Sequence, residues 1–246
     1  MRATFFIIFF LLTRYSGAQT ELTFDRPGIT DLYAIIPNNA FQAEIGYDYF
    51  NLHSQQDQLP SLTLRKSFSE RFELRYVYDY ALYSPSLIQN YERNDIFVHG
   101  LGAKINFWKE TGKMPGISVI ATAKGSTSKL VNNQNYYGVD AFLVIQKAFG
   151  RFEYTNNTGI LAENYGAHQR YMFGNCLSYD ISGRKAVFAE HYIFFSPYHT
   201  AEQGAIAGYT YQLGERYQLD ASGGIMQFAP AYWFAGLGIS AYFGKD

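Results

Sequence analysis

Residues 72–83 read Phe-Glu-Leu-Arg-Tyr-Val-Tyr-Asp-Tyr-Ala-Leu-Tyr, and their side chains alternate. Phe72, Leu74, Tyr76, Tyr78, Tyr80 and Leu82 share one face of an extended chain, while Glu73, Arg75, Val77, Asp79, Ala81 and Tyr83 share the other. Period two marks a strand, because successive Cβ atoms point to opposite sides of the pleat. A soluble sandwich would bury the first face in a core and solvate the second. A transmembrane barrel would turn the first face to lipid and line its lumen with the second. One strand fits both architectures, so the decision rests on the rest of the chain.

The rest repeats the pattern. Alternation places strands near 41–50, 61–68, 72–83, 95–108, 116–125, 137–149, 151–162, 170–181, 185–196, 203–213, 217–225 and 233–243. The connections between them fall into two classes that take turns. One class is tight: Ser69-Glu70-Arg71, 109–115, the turn at Gly150, Ser182-Gly183-Arg184 and Gly214-Glu215-Arg216. The other is longer and richer in Asn, Gln, Ser and Pro: 51–60, 84–94, 126–136, 163–169, 197–202 and 226–232. Short turns on one rim and longer loops on the other are the habit of outer-membrane barrels, with the turns periplasmic. The reading is therefore all-β: a transmembrane, antiparallel, up-and-down barrel of about twelve strands (ten to fourteen), with both termini on the turn side. Closing 41–50 against 233–243 would leave no strand edge unpaired in lipid.

Composition agrees. Aromatic residues make up 18% of the chain, with 22 Tyr and 21 Phe, which suits a barrel with aromatic girdles at both interfaces. Lys and Arg number 20 against 21 Asp and Glu, so there is no basic footprint for nucleic acid. Cys176 is the single cysteine, which excludes an internal disulfide, a lipoprotein anchor and a Cys-based zinc site. Arg2, the apolar run Phe5–Leu12 and the small residues Ser16-Gly17-Ala18 read as a signal peptide, 1–18, cleaved after Ala18. Residues 19–40 are then a lead-in or plug segment, and 41–246 the barrel.

The lead-in contains Phe24-Asp25-Arg26-Pro27-Gly28-Ile29-Thr30-Asp31, then Pro37, then Phe41-Gln42-Ala43-Glu44-Ile45-Gly46. An Asp-Arg-Pro start, a Pro about ten residues on, and Gln-x-Glu-x-Gly opening the first strand resemble the outer-membrane family labelled "MetA-pathway of phenol degradation". The motif spans about 25 residues; elsewhere the match is one of pattern and length. It departs at Leu32–Ile36, where the family carries a more polar stretch. The resemblance implies an outer-membrane barrel that passes a small hydrophobic or aromatic solute.

The inward face on this register carries Glu44, Asp48, Arg65, Glu73, Arg75, Asp79, Lys104, Lys124, Asp140, Arg151, Glu153, Arg170, Asp180, Glu190 and Asp220. Charges in a narrow lumen are costly unless paired, so two readings stand. Either salt bridges plug the barrel, which then serves as a structural or ligand-binding protein without transport, or the groups wall a polar path. Asp25, Arg26, Glu44, Asp48, Glu73, Arg75, Asp79, Asp140 and Glu153 are the solute-path candidates. Mixed signs argue against strong ion selectivity. Loop-side tyrosines, among them Tyr83, Tyr91, Tyr136, Tyr137 and Tyr198, could hold a small ligand. Strand 185–196 fits worst: keeping Glu190 inside puts Phe188, Tyr192 and Phe194 in the lumen and His191 toward lipid.

No catalytic, metal or cofactor site emerges. The five histidines show no metal-binding pair on one strand face. None has the Ser two residues on, followed by Asn-Gly, that marks the lipid-facing site of outer-membrane phospholipase A. The expected partners are outer-membrane lipid, a small-molecule solute and the barrel-assembly machinery. The last of these reads a terminal strand such as Trp233–Phe243. Uniformly lipid-like outer faces read as a monomer.

Overall fold

The computed structural model describes residues 24–25, 28–52, 55–83, 94–129, 135–164, 169–197, 199–227 and 232–244. The signal-peptide reading and Arg26 fall outside these residues, as do Tyr91 and Tyr198. Twelve strands form: β1 Phe41–Leu52, β2 Gln55–Ser69, β3 Phe72–Tyr83, β4 Asn94–Trp108, β5 Gly116–Lys129, β6 Asn135–Phe149, β7 Phe152–Glu163, β8 Gln169–Asp180, β9 Lys185–Ser196, β10 His199–Leu213, β11 Tyr217–Gln227 and β12 Tyr232–Phe243. Each pairs antiparallel with its sequence neighbours, and β1 pairs with β12 to close the barrel. That seam runs eleven residues deep, from Phe41 opposite Phe243 to Asn51 opposite Trp233. Closure removes the open edges that lipid cannot satisfy.

The alternation decides which face is which. Along β1, Gln42 and Glu44 are buried while Ile45 and Tyr47 are exposed. In β4, Lys104 and Asn106 are buried between exposed Leu101, Ile105 and Phe107. Leu101, Leu237 and Ile225 show 64–71% of their surface, a composition that belongs against acyl chains rather than water. Aromatic pairs ring both ends: Phe41 with Phe243, Phe68 with Phe72 and Phe152 with Tyr179 near the turns, Tyr49 with Trp233 and Tyr78 with Phe97 toward the loops. No helix among the described residues is long and apolar enough to cross a membrane.

Gly150, Gly183 and Gly214 sit in the tight turns with φ near +70°, a conformation that costs a residue without Cβ little. Loop-side strand ends run further than the alternation suggested. β2 begins at Gln55 and β10 at His199, in polar stretches above the apolar belt where the lipid face loses its signal. Pro60 hides the start of β2 in the sequence. It faces Tyr47 of β1, one residue beyond the last β3 partner of this strand, Ser61 opposite Asp79, so its missing N–H breaks no ladder there.

Two of the expected inward charges serve the turns instead, one from within a turn and one from the strand end beside it. Arg151 is exposed in the turn before β7 and reaches Ile181 O at 3.5 Å. Asp180 ends β8 and caps the next turn, its Oδ1 accepting from Ser182 N at 3.0 Å and Gly183 N. Tyr136, expected in a loop, lies on β6 and is buried, its hydroxyl donating to Glu163 at 3.0 Å.

Candidate functional site

The lumen is built from the inward positions of the strands and from the chain that precedes them. Residues 28–40 run inside the barrel toward its turn end and enter β1 through Asn39, whose φ of 61° redirects the chain. There the Ser67 hydroxyl donates to Pro37 O, and Lys66 Nζ reaches Asn39 O at 2.6 Å. Extended backbone inside a lumen needs partners for its N–H groups, and the walls supply them. Ile36 N donates to Glu73 at 3.1 Å, Tyr33 N to Gln146 at 3.1 Å and Asp31 N to Asn157 at 3.1 Å. Ile29 N and Thr30 N both donate to Glu190, at 3.1 and 3.0 Å. Four strands, β3, β6, β7 and β9, thus hold one segment.

Side-chain charge adds to this. Asp25 Oδ2 lies 2.6 Å from Arg75 and 3.3 Å from each of Arg65 and Lys104. Arg75 also takes Asp31 at 2.8 Å. Arg65 bonds Glu73 through Nε and Nη2 at 2.8 and 3.0 Å and reaches Glu44 at 3.2 Å. Lys104 Nζ donates to Leu32 O at 2.8 Å. The side chains of Arg65, Glu73 and Lys104 are wholly buried, and buried charges of this kind persist only when each finds a partner. Burial alone would raise the Asp25 pKa. The cations Arg65, Lys104 and Arg75 outweigh it and hold the carboxyl well below the usual carboxylate range.

The opposite side of the lumen is apolar. Met172, Phe188, Tyr192, Ile206 and Phe234 form a buried cluster, with Ile29, Phe142, Leu161, Phe194 and Met226 packed against it. This explains the awkward pattern of β9. Its inward aromatics fit because glycines face them: a Cβ on Gly204 would strike the Tyr192 ring and one on Gly208 the Phe188 ring. Large residues on one strand interlock with none on the next. His191 faces outward, in register with Asn175 of β8, which is in register with Asn156 of β7.

Among the sequence candidates, the structure brings Asp25, Glu44, Glu73 and Arg75 into one network. Asp48, Asp79, Asp140 and Glu153 lie inward but apart from it. Asp140 pairs with Lys124 across β5 and β6. Asp48 reaches over Gly236, whose missing Cβ leaves it room. Of the residues that fasten the segment, Glu190 was read as inward but not as a solute-path candidate, and Asn157 and Gln146 were in neither group. Their inward parity was readable, but not the identity of partners 113 to 161 residues away.

No family model matches the chain, so the resemblance of its opening motif gains no support there, and no curated protein matches either. Solved structures do match in shape. The COG4313 outer membrane channel from Pseudomonas putida F1 superposes with a TM-score of 0.69 at 10% identity, over 89% of this chain and 99% of that one. This is the fold of outer-membrane channels. The KdgM porin, in complex with disordered oligogalacturonate, gives 0.61 at 10% identity, over 82% and 99%. The NanC porin gives 0.59 at 7%, over 81% and 98%. The fold and the lipid-facing belt place the barrel in the outer membrane.

Proposed function

We propose that this protein is an outer-membrane channel for a small solute with an apolar or aromatic body, closed at its turn end by its own N-terminal segment. The observation that carries the reading is the segment itself, fastened across the lumen to β3, β6, β7 and β9. A barrel of twelve strands lies between the size that wall side chains alone fill, about eight, and the size that leaves an open channel, so the segment is what closes this one. A separate strand of backbone, held by hydrogen bonds that water can replace, is a closure that can leave. The apolar cluster beside it offers a path for the non-polar part of a solute.

One variant tests this directly. The Thr30 side chain packs beside Gly174 of β8, two residues along the same inward face from Cys176, the single cysteine. Thr30→Cys therefore permits a disulfide that ties the segment to β8. In planar bilayers the oxidised variant should be silent and dithiothreitol should restore openings. Equal conductance in both states would overturn the closure reading. A second reading has its own support in the complete burial of Arg65, Glu73 and Lys104, which suits a permanently plugged anchor. That reading predicts silence in both states and in a chain lacking the segment.

A further inference from the structure

We infer that two copies of this chain meet in the membrane along β8 and β9, joined through a row of polar side chains on the outer wall. The inference concerns the opposite face of the barrel from the lumen and does not rest on the channel reading. It starts from a departure from the uniformly lipid-like outside that the sequence suggested. Asn156 of β7, Asn175 of β8 and His191 of β9 stand side by side in register. All three point outward: Asn156 lies between buried Thr155 and Asn157, and His191 between buried Glu190 and Tyr192.

The row lies within the apolar belt. Along β8, Asn175 sits between exposed Phe173 and Leu177; along β9, His191 is flanked further out by exposed Val187 and Phe195. Acyl chains offer no hydrogen bond to an amide or an imidazole, so polar groups at this depth are costly unless protein satisfies them.

The wall satisfies part of the row. The Tyr154 hydroxyl donates to Asn175 Oδ1 at 2.5 Å. Asn156 Nδ2 donates to the same oxygen at 3.2 Å and to Gly174 O at 3.0 Å, and the Thr158 hydroxyl donates to Asn156 Oδ1 at 3.0 Å. These bonds turn the Asn175 oxygen toward β7 and its amide N–H groups away from it. Among the described residues, neither Asn175 Nδ2 nor the exposed His191 ring has a hydrogen-bond partner. A donor and an acceptor are left over on neighbouring strands, with no bond joining them.

Whatever covers them must carry an acceptor and a donor at the same depth. Lipid head groups stay at the interface, whereas a second copy brings both groups to this depth by construction. About a two-fold axis along the membrane normal between β8 and β9, each strand of one copy faces the other strand of its partner. Asn175 of one copy then donates to His191 of the partner subunit, and the reciprocal bond forms alongside it, so one contact meets both needs. Ala189 along β9 and Ala205 across on β10 are small and exposed beside His191, which keeps the wall low where the second copy approaches.

The test is sedimentation equilibrium of the full-length barrel in neutrally buoyant detergent micelles, over a range of protein-to-detergent ratios. The chain should show a monomer–dimer equilibrium. His191→Leu removes both bonds between the copies and adds apolar surface, and it should weaken the dimer on the order of tenfold, the scale of two hydrogen bonds in lipid. A contact made by apolar surface alone would hold or tighten in that variant. His191→Gln keeps an acceptor and should retain most of the association, and Leu101→Ala on β4, away from the row, should leave it unchanged. Should His191→Leu lose the heat-modifiable gel band, Asn175→Ala, which removes the donor, is measured in its place and should weaken the dimer in the same direction. A monomer at every ratio, a trimer, a folded His191→Leu barrel that dimerises as tightly, or equal weakening by Leu101→Ala would overturn the inference. Conductance enters none of these outcomes, so a barrel that never conducts would sink the channel reading and leave the dimer standing.

Discussion

At Asp25 one carboxylate meets Arg65, Arg75 and Lys104 together, so its removal takes an anion from three buried cations at once. Asp25→Asn should cost the docked segment about 3–5 kcal/mol, the range for breaking a buried ion pair from one side. Faster protease cleavage ahead of β1, with the barrel band intact on gels, would register it. Acid should act through the same group. Its pKa in the docked state is depressed, so its contribution is complete above the unbound value of about 3.9 and lost as pH falls toward the docked value. Protection from protease should hold at pH 5 and erode below about pH 4. This part of the site was legible: strand parity alone put Glu44, Glu73 and Arg75 inside. Glu190 was also read as inward, yet nothing nearby marked it as an anchor, because it accepts from the amides of Ile29 and Thr30, which carry no side-chain signature.

Among the elements, β3 came out of the sequence with its own bounds, Phe72–Tyr83, because it alternates from end to end within the apolar belt. β9 resisted, since a lumen was expected to be polar and Phe188 and Tyr192 are not. Only the pairing of β10 beside β9, with Gly204 in register with Tyr192 and Gly208 with Phe188, makes sense of it. Gly208→Leu should therefore drive a side chain into the Phe188 ring, at a cost of about 1–3 kcal/mol for overpacking. The temperature at which the folded band converts to the unfolded one should fall. Gly112→Ala, at a turn glycine with nothing within 4 Å of its would-be Cβ, should leave that temperature where it was. The loop-side reach of β2 stayed hidden because Gln55–Leu59 is polar and Pro60 reads as a break.

The molecule as a whole is closed by β1 on β12, a seam that owes nothing to the internal segment. A chain with its export signal joined at Asn38 should still give a heat-modifiable outer-membrane band, and its conductance should exceed that of the full chain. Loss of the band would show that the segment is needed to shape the barrel rather than to shut it. Strand number and the two rims were legible because alternation and connection length repeat twelve times over, whereas the polar row on the outer wall needed the register of β7, β8 and β9 together.

The hydrogen bonds from Ile29 and Thr30 to Glu190 link residues 160 and more positions apart. Glu190 takes its place only once β9 stands beside β8 and β10, late in a chain threaded from its N-terminus. A segment that precedes every strand can thus be fastened fully only after the strands that hold it have paired. During assembly the lumen passes through an interval in which the wall is built and the bolt is not yet thrown.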